Sequence, residues 1–281
     1  MPHPPNAPDN VISLAAPPPA PADAPGTVTF VGAGPGDGDL ITLRGWRRLQ
    51  SADVVLYDSL VDATLLLDLT ATLVYVGKRC GKHSQAQETT TDLLLRYAQA
   101  GFNVVRLKGG DPGVFGRVAE EALPLAANGV PFEFVPGVSS ATAVPLVAGI
   151  PVTHRGLADS FTVVTAHTKA SNTEGLAIPP FSPRRTLVLL MPLSTLAVWH
   201  RQLLERGYPR KCPIAFISSG GTSRQRVLRT TVGAAPLDAR TFGAQSPTLV
   251  VVGSVVTLAD SLAPEIPASE NSANAMKETG A

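Results

Sequence analysis

Cysteine is scarce: Cys80 and Cys212 are the two in 281 residues, and they form no CxxC pair. That excludes a disulfide framework and a structural zinc site built on cysteine pairs, so both are expected as reduced thiols. Cys80 and His83 have a CxxH spacing, but no second ligand pair accompanies them and no metal is expected. Charge is also sparse, at 16% of residues, and a net charge of +1 provides no global field for nucleic acid. Any anionic ligand must be held by local basic residues. No apolar run approaches the roughly 18 residues that cross a bilayer, and the amino terminus lacks the basic start and apolar core of a secretory signal. The expectation is a cytoplasmic protein with neither a membrane nor a nucleic-acid partner. GxSxG, HExxH and GxxxxGKS/T are all missing, which removes the basis for serine hydrolase, zincin and P-loop chemistry.

Residues 1–26 hold nine of the 26 prolines and no lysine, arginine or aromatic residue. Such a segment cannot bury enough surface to offset its ordering entropy and reads as a disordered tail. Residues 264–281 read as a second loose tail. From Thr27 a pattern repeats: short apolar run, glycine-rich or charged loop, then helical spacing, the signature of α/β architecture. In a first lobe, 27–155, the apolar runs are 28–31, 54–57, 73–76, 104–107 and 132–135. Helices are expected at 42–49, 85–100 and 118–128, the last two stopped by Gly101 and Gly129. Apolar runs of this kind suit strands covered on both faces and hence a mostly parallel sheet. A second lobe, 156–263, has strand candidates at 161–165, 186–190, 214–217, 226–231 and 249–256, the last two close enough to pair antiparallel in a mixed sheet. One helix stands out there, at 194–206, ended by Gly207. The boundary is placed at 155–160.

Ligands of open α/β sheets sit beyond the carboxyl ends of the strands, which directs attention to the loops. The richest comes after 104–107: Gly109, Gly110, Asp111 and Pro112, flanked by Arg106, Lys108 and Arg117. Paired glycines let backbone approach a ligand closely, but the same residues also make an ordinary turn. Gly32, Ala33, Gly34, Pro35 and Gly36 begin like a dinucleotide fingerprint, yet Asp37 stands where the third glycine belongs and Pro35 lacks a backbone donor. A nicotinamide nucleotide is therefore disfavoured. Asp58 puts a carboxylate at a strand's end, where a turn or helix cap would also use it. Lys78, Arg79, Lys82 and His83 crowd positive charge into one loop, either as an anion site or as a solvated surface. Ser139 or Ser140 can cap the next helix or contact a ligand, and His154 with Arg155 adds a further cationic pair.

The ordered segments VGAGPGD, ADVVLYD, VGKRCGKH, VVRLKGGDP, VPGVSSATA and GIPVTHR resemble the tetrapyrrole methylase family, and within it the members that act on uroporphyrinogen III, from Val28 to about Leu262. The resemblance implies a two-lobed α/β fold, a homodimer, and S-adenosyl-L-methionine as methyl donor in a cleft between lobes. It implies transfer of methyl groups from two S-adenosylmethionines to C-2 and C-7 of uroporphyrinogen III, giving precorrin-2 for sirohaem or cobalamin biosynthesis. On the family's pattern Asp58 matches the proton acceptor and Lys78 the proton donor. Pro35, Gly109, Gly110, Asp111, Val114, Ser139, Ser140, Met191 and Gly220 match cofactor positions. The carboxylate-rich macrocycle would find cations among Arg79, Lys82, His83, Arg106, Arg117, His154 and Arg155. The chain departs from the pattern at Ser59, where arginine is usual, at Val118 and Ala119 in place of a glycine pair, at Pro192 in place of glycine, and at Ser218 to Thr222. Two other readings stay open: methylation of a later corrin precursor, and a non-catalytic tetrapyrrole or nucleoside binder. The pattern is expected to leave no room for an attached dehydrogenase-ferrochelatase or uroporphyrinogen synthase.

Overall fold

The computed structural model describes residues 26–77, 85–167 and 176–262. Packing divides the chain into two units, 1–143 and 144–281.

The first unit is built on five parallel strands in the order β3-β2-β4-β1-β5: β1 (Val28–Gly32), β2 (Val54–Tyr57), β3 (Thr72–Tyr75), β4 (Val104–Lys108) and β5 (Phe132–Val135). Register pairs Val28 with both Val104 and Phe132, and Val54 with both Val104 and Thr72. Side chains alternate across a strand, so each strand feeds two cores. Val28, Phe30, Val54, Leu56 and Val104 pack with Leu94, Tyr97, Ala122 and Leu125 of α2 (Gln85–Gln99) and α3 (Val118–Ala127). Val31, Val55, Val105, Leu107 and Val135 pack on the opposite face with Leu49 of α1 (Leu43–Gln50) and with Leu65 and Leu66 of a 3₁₀ turn. Burying each such large side chain stabilises by about 1.5–3 kcal/mol, which is why the strands read as nearly continuous apolar runs. Helix α1 starts where the Thr42 hydroxyl accepts from Gly45 N–H at 3.1 Å. Gly101 and Gly129 take positive φ after α2 and α3.

Alternation has one polar consequence. Arg106 and Lys108 share the face of Val104, which turns them towards α3 instead of solvent.

The second unit carries a mixed sheet ordered β6-β7-β10-β8-β9: β6 (Ser160–Thr165), β7 (Arg185–Leu190), β8 (Pro213–Ser218), β9 (Arg226–Thr231) and β10 (Thr248–Val252). Only β6 and β7 run parallel. The pairing expected between 226–231 and 249–256 is not made, because β8 lies between them. Composition explains the order: every residue of β10 is buried, which suits a central strand, whereas β9 reads RVLRTT and keeps its arginines at an edge. Strand β10 also stops at Val252, where Gly253 turns the chain into a 3₁₀ segment. The helix expected at 194–206 is α5 (Leu196–Glu205) behind a short 3₁₀ turn; its Trp199 is fully buried and donates Nε1–H to the Pro192 carbonyl at 2.8 Å. Buried Cys212 is a free thiol that desolvation pushes up to about 11, so it packs as a small apolar group. Cys80 lies outside the described residues. Among the described residues no helix is long and apolar enough to cross a membrane.

The division between units falls inside α4 (Ser140–Val147), twelve residues before the expected 155/156. The residues just beyond Ala143 find their partners in the second unit: Val144 packs against Gly220, the Val147 carbonyl accepts from Gln225 Nε2 at 3.5 Å, and His154 N–H donates to the Ala158 carbonyl at 2.9 Å.

Candidate active site

The carboxyl ends of β1, β4 and β5 meet backbone to backbone. Ala33 N–H donates to the Lys108 carbonyl at 2.8 Å, and Gly34 and Gly110 exchange hydrogen bonds of 2.8 and 3.2 Å. A Cβ on Gly137 would lie 2.3 Å from Gly110 O and 2.7 Å from Gly32 Cα, and one on Gly32 would lie 2.5 Å from Gly137 Cα. Gly110 holds φ +69°, which favours glycine. The glycines are thus needed first for loop-against-loop packing. Asp111 completes the junction: Oδ1 accepts from Gly113 N–H at 2.7 Å and Oδ2 from Gly137 N–H at 2.9 Å. Pro35 is buried in the same region, Ser139 and Ser140 are half-buried at the start of α4, and Val114 is 36% exposed. Because only backbone atoms oppose it, a methyl group at Gly137 cannot be accommodated by a rotamer change. Gly137→Ala is expected to lower stability by about 1–3 kcal/mol, read as a reduced urea midpoint at unchanged slope; an unaltered midpoint would show that the loops can separate.

Asp58 comes directly after β2, and its carboxylate is held from two sides. Oδ1 accepts from Leu60 N–H at 3.1 Å, and Oδ2 pairs with Arg106 Nη2 at 3.3 Å. Arg106 is expected from the sequence to meet the macrocycle, and its side chain is engaged within the protein. It is 5% exposed, with Nη1 donating to Leu107 O at 2.8 Å and to Leu56 O at 3.4 Å. Its Nε lies 3.3 Å from Glu121 Oε2, an ion pair without hydrogen-bond alignment. Glu121 Oε1 accepts from Lys108 Nζ at 2.9 Å. Burial and then the Arg106 guanidinium hold the Lys108 ammonium below its usual range, with Glu121 and Asp58 acting in the opposite sense. Beside Asp58, the Tyr57 ring meets Tyr75 edge-on at 5.5 Å, and burial pushes its phenol up.

The remaining expected residues are scattered by role. Arg117 is exposed and pairs with Glu120 one helical turn on, while His154 and Arg155 are exposed in the second unit. Lys78, Arg79, Lys82 and His83 lie outside the described residues. Met191 lies just beyond β7 with φ +55° and is 48% exposed, and Gly220 lies just beyond β8, directly against Val144. Among the described residues, four non-glycine residues take positive φ: Phe115, Arg117, Met191 and Ser219. All of them sit in loops at strand carboxyl ends, and each such backbone costs on the order of 1 kcal/mol. Sequence reasoning misses the burial of Glu121 and the backbone conformations of Phe115 and Ser219. An acidic residue in a helix's first turn looks like a solvated one, and positive φ leaves no trace in a side chain such as phenylalanine. The signal for Glu121 lies in the burial of two cations on β4.

Comparison with known proteins agrees with this arrangement. The family described as Tetrapyrrole (Corrin/Porphyrin) Methylases matches residues 27–236. The chain is 46% identical over 229 residues to a uroporphyrinogen-III C-methyltransferase of Methanocaldococcus jannaschii, covering 80% of this chain and 95% of that relative. It is 44% identical over 231 residues to a sirohaem synthase of Azotobacter vinelandii, covering 81% of this chain but spanning only 50% of that relative's length. Among solved structures, uroporphyrin-III C-methyltransferase of Thermus thermophilus complexed with S-adenosylhomocysteine superposes with a TM-score of 0.70 at 40% identity, covering 83% of this chain and all of that one. The chain belongs to the tetrapyrrole methylase family.

Proposed function

We propose that the protein is an enzyme that transfers methyl groups from S-adenosyl-L-methionine to C-2 and C-7 of uroporphyrinogen III, giving precorrin-2. The observation that carries this reading is the collinear match to a uroporphyrinogen-III C-methyltransferase over 95% of that relative's length. The donor set at the ends of β1, β4 and β5 fits the cofactor. Residues 109–116 contain no cation; of the three that flank them, Arg106 and Lys108 are occupied by Asp58 and Glu121, and Arg117 pairs with Glu120. A polyphosphate would lack counter-charge there, whereas a nucleoside joined to a thioether-like sulfonium needs none. The Ser139 and Ser140 hydroxyls, the backbone of Gly109 and Gly110, and the half-exposed Val114 would hold it, on a junction tied by Asp111.

When bound, S-adenosylmethionine supplies a methyl group on a positively charged sulfur. The chain's own residues supply placement and proton handling. Asp58 accepts the proton that leaves the alkylated macrocycle, and Lys78 carries the donor role. Arg79, Lys82, His83, Arg117, His154 and Arg155 meet the macrocycle's carboxylates; buried Arg106 leaves that set. A homodimer and a place in sirohaem or cobalamin synthesis belong to the same reading. Anaerobic incubation with uroporphyrinogen III and methyl-labelled S-adenosylmethionine is expected to yield labelled precorrin-2. Absence of transfer, with S-adenosylhomocysteine still bound by calorimetry, would leave a binding protein in its place.

A further inference from the structure

A glutamate in the first turn of a surface helix ordinarily faces water, as Glu120 does. Glu121 is instead 1% exposed, and glutamate is almost never so buried unless paired. Its partners are two cations of one strand face, Arg106 at 5% and Lys108 at 6% exposure. Among the described residues, two cations stand against this one anion. The fourth member of the cluster is Asp58, joined through Arg106 Nη2. The guanidinium is pinned on every edge: Nη1 on the Leu107 and Leu56 carbonyls, Nε beside Glu121, Nη2 on Asp58. A planar fork so held has one orientation, and it passes that orientation to the carboxylate it touches.

We infer that Glu121 is a positioning residue for methyl transfer, fixing the Asp58 carboxylate through Arg106. The inference rests on Asp58 being the proton acceptor. The geometry shows why that acceptor needs outside help: Asp58 sits in a turn after β2, its side chain is 23% exposed, and one backbone N–H alone would let it swing about Cα–Cβ. Misplacement of a reacting group by about 1 Å can cost roughly 100-fold in rate. Arg106 closes that freedom, and Glu121 fixes Arg106 from the helix side.

The test is a double-mutant cycle on the full chain, read as methyl transfer to uroporphyrinogen III, with calorimetry of S-adenosylhomocysteine and thermal unfolding as controls. Glu121→Gln keeps shape and removes the charge. It is expected to lower kcat by about 10-fold while KM and S-adenosylhomocysteine affinity change by less than about twofold. In an Asp58→Asn background the same change is expected to have no further effect, because residues acting as one unit are non-additive. An equal loss in both backgrounds, or parental kcat for Glu121→Gln alone, overturns the positioning role while leaving Asp58 in place. Parental transfer by Asp58→Asn overturns the acceptor assignment and this inference with it. Where Glu121→Gln fails to fold, Arg106→Lys carries the same cycle: it keeps the charge and loses the fork, and the same two results decide.

Discussion

Asp58→Asn is expected to lower methyl transfer by roughly 10²- to 10⁴-fold, the usual weight of a placed general base, with S-adenosylhomocysteine affinity nearly unchanged. Asparagine keeps the carboxylate's shape and, with Oδ1 on Leu60 N–H, its hold on the turn after β2, while its amide nitrogen turns towards Arg106. What it lacks is a site for the proton that must leave the alkylated ring. The measurement is a single-turnover rate at saturating cofactor, which separates the chemical step from binding and release. If the variant transfers methyl at the parental rate, proton removal falls to solvent or to another group. If affinity for S-adenosylhomocysteine collapses instead, Asp58 holds the loops and not the proton.

The largest effect on stability is expected for Glu121→Leu. Leucine fills the space among Ala122, Leu125 and the strand face but leaves Arg106 and Lys108 side by side without their shared anion. Breaking a buried ion pair from one side costs about 3–5 kcal/mol. For a chain of this size that lowers the midpoint of thermal unfolding on the order of 10 °C. Adding Lys108→Met to the same chain is expected to recover most of the loss, since Arg106 then retains Asp58 and the removed pair is replaced by apolar packing. That repair distinguishes unbalanced charge from a cavity: were the loss due to poor packing, the second change would deepen it. A loss below about 1 kcal/mol would mean that water reaches the two cations and the cluster is hydrated.

Most of the first unit can be read from the residues, because its central strands are covered on both faces and an apolar run of four or five residues has one comfortable place in an α/β sheet. The stretch 104–107 and its neighbours illustrate this, and so do Gly101 and Gly129 at the helix ends. Reading fails where a decision depends on partners distant in sequence. The order of β8, β9 and β10 depends on which strand tolerates an edge, and β9 declares this through Arg226 and Arg229 only once its competitors are known. The helix α6 (Ala235–Phe242) escapes sequence reading because eight residues opening on alanine and proline, with two further polar interruptions, carry a weak amphipathic signal. At the site, Asp58 and the glycine loops are legible as residue types at strand ends. Arg106 reads as outward-facing when its charge is weighed without the period of two that turns it inward beside Val104. Once that period is applied, a buried acid opposite becomes a requirement, and α3 is where it must come from.

The bridge between Gly34 and Gly110 has a consequence for motion. It is an isolated antiparallel bridge just beyond the parallel β1–β4 ladder, so the two loops are tied together where the strands end. Segments that cycle during turnover are drawn from the weakly protected end of a protein's opening equilibria. The bridged Gly34 and Gly110 amides are expected at the other end, exchanging on the timescale of the central strands. Entry and exit of ligands must therefore be timed by other parts of the chain, while the glycine junction stays a stationary floor.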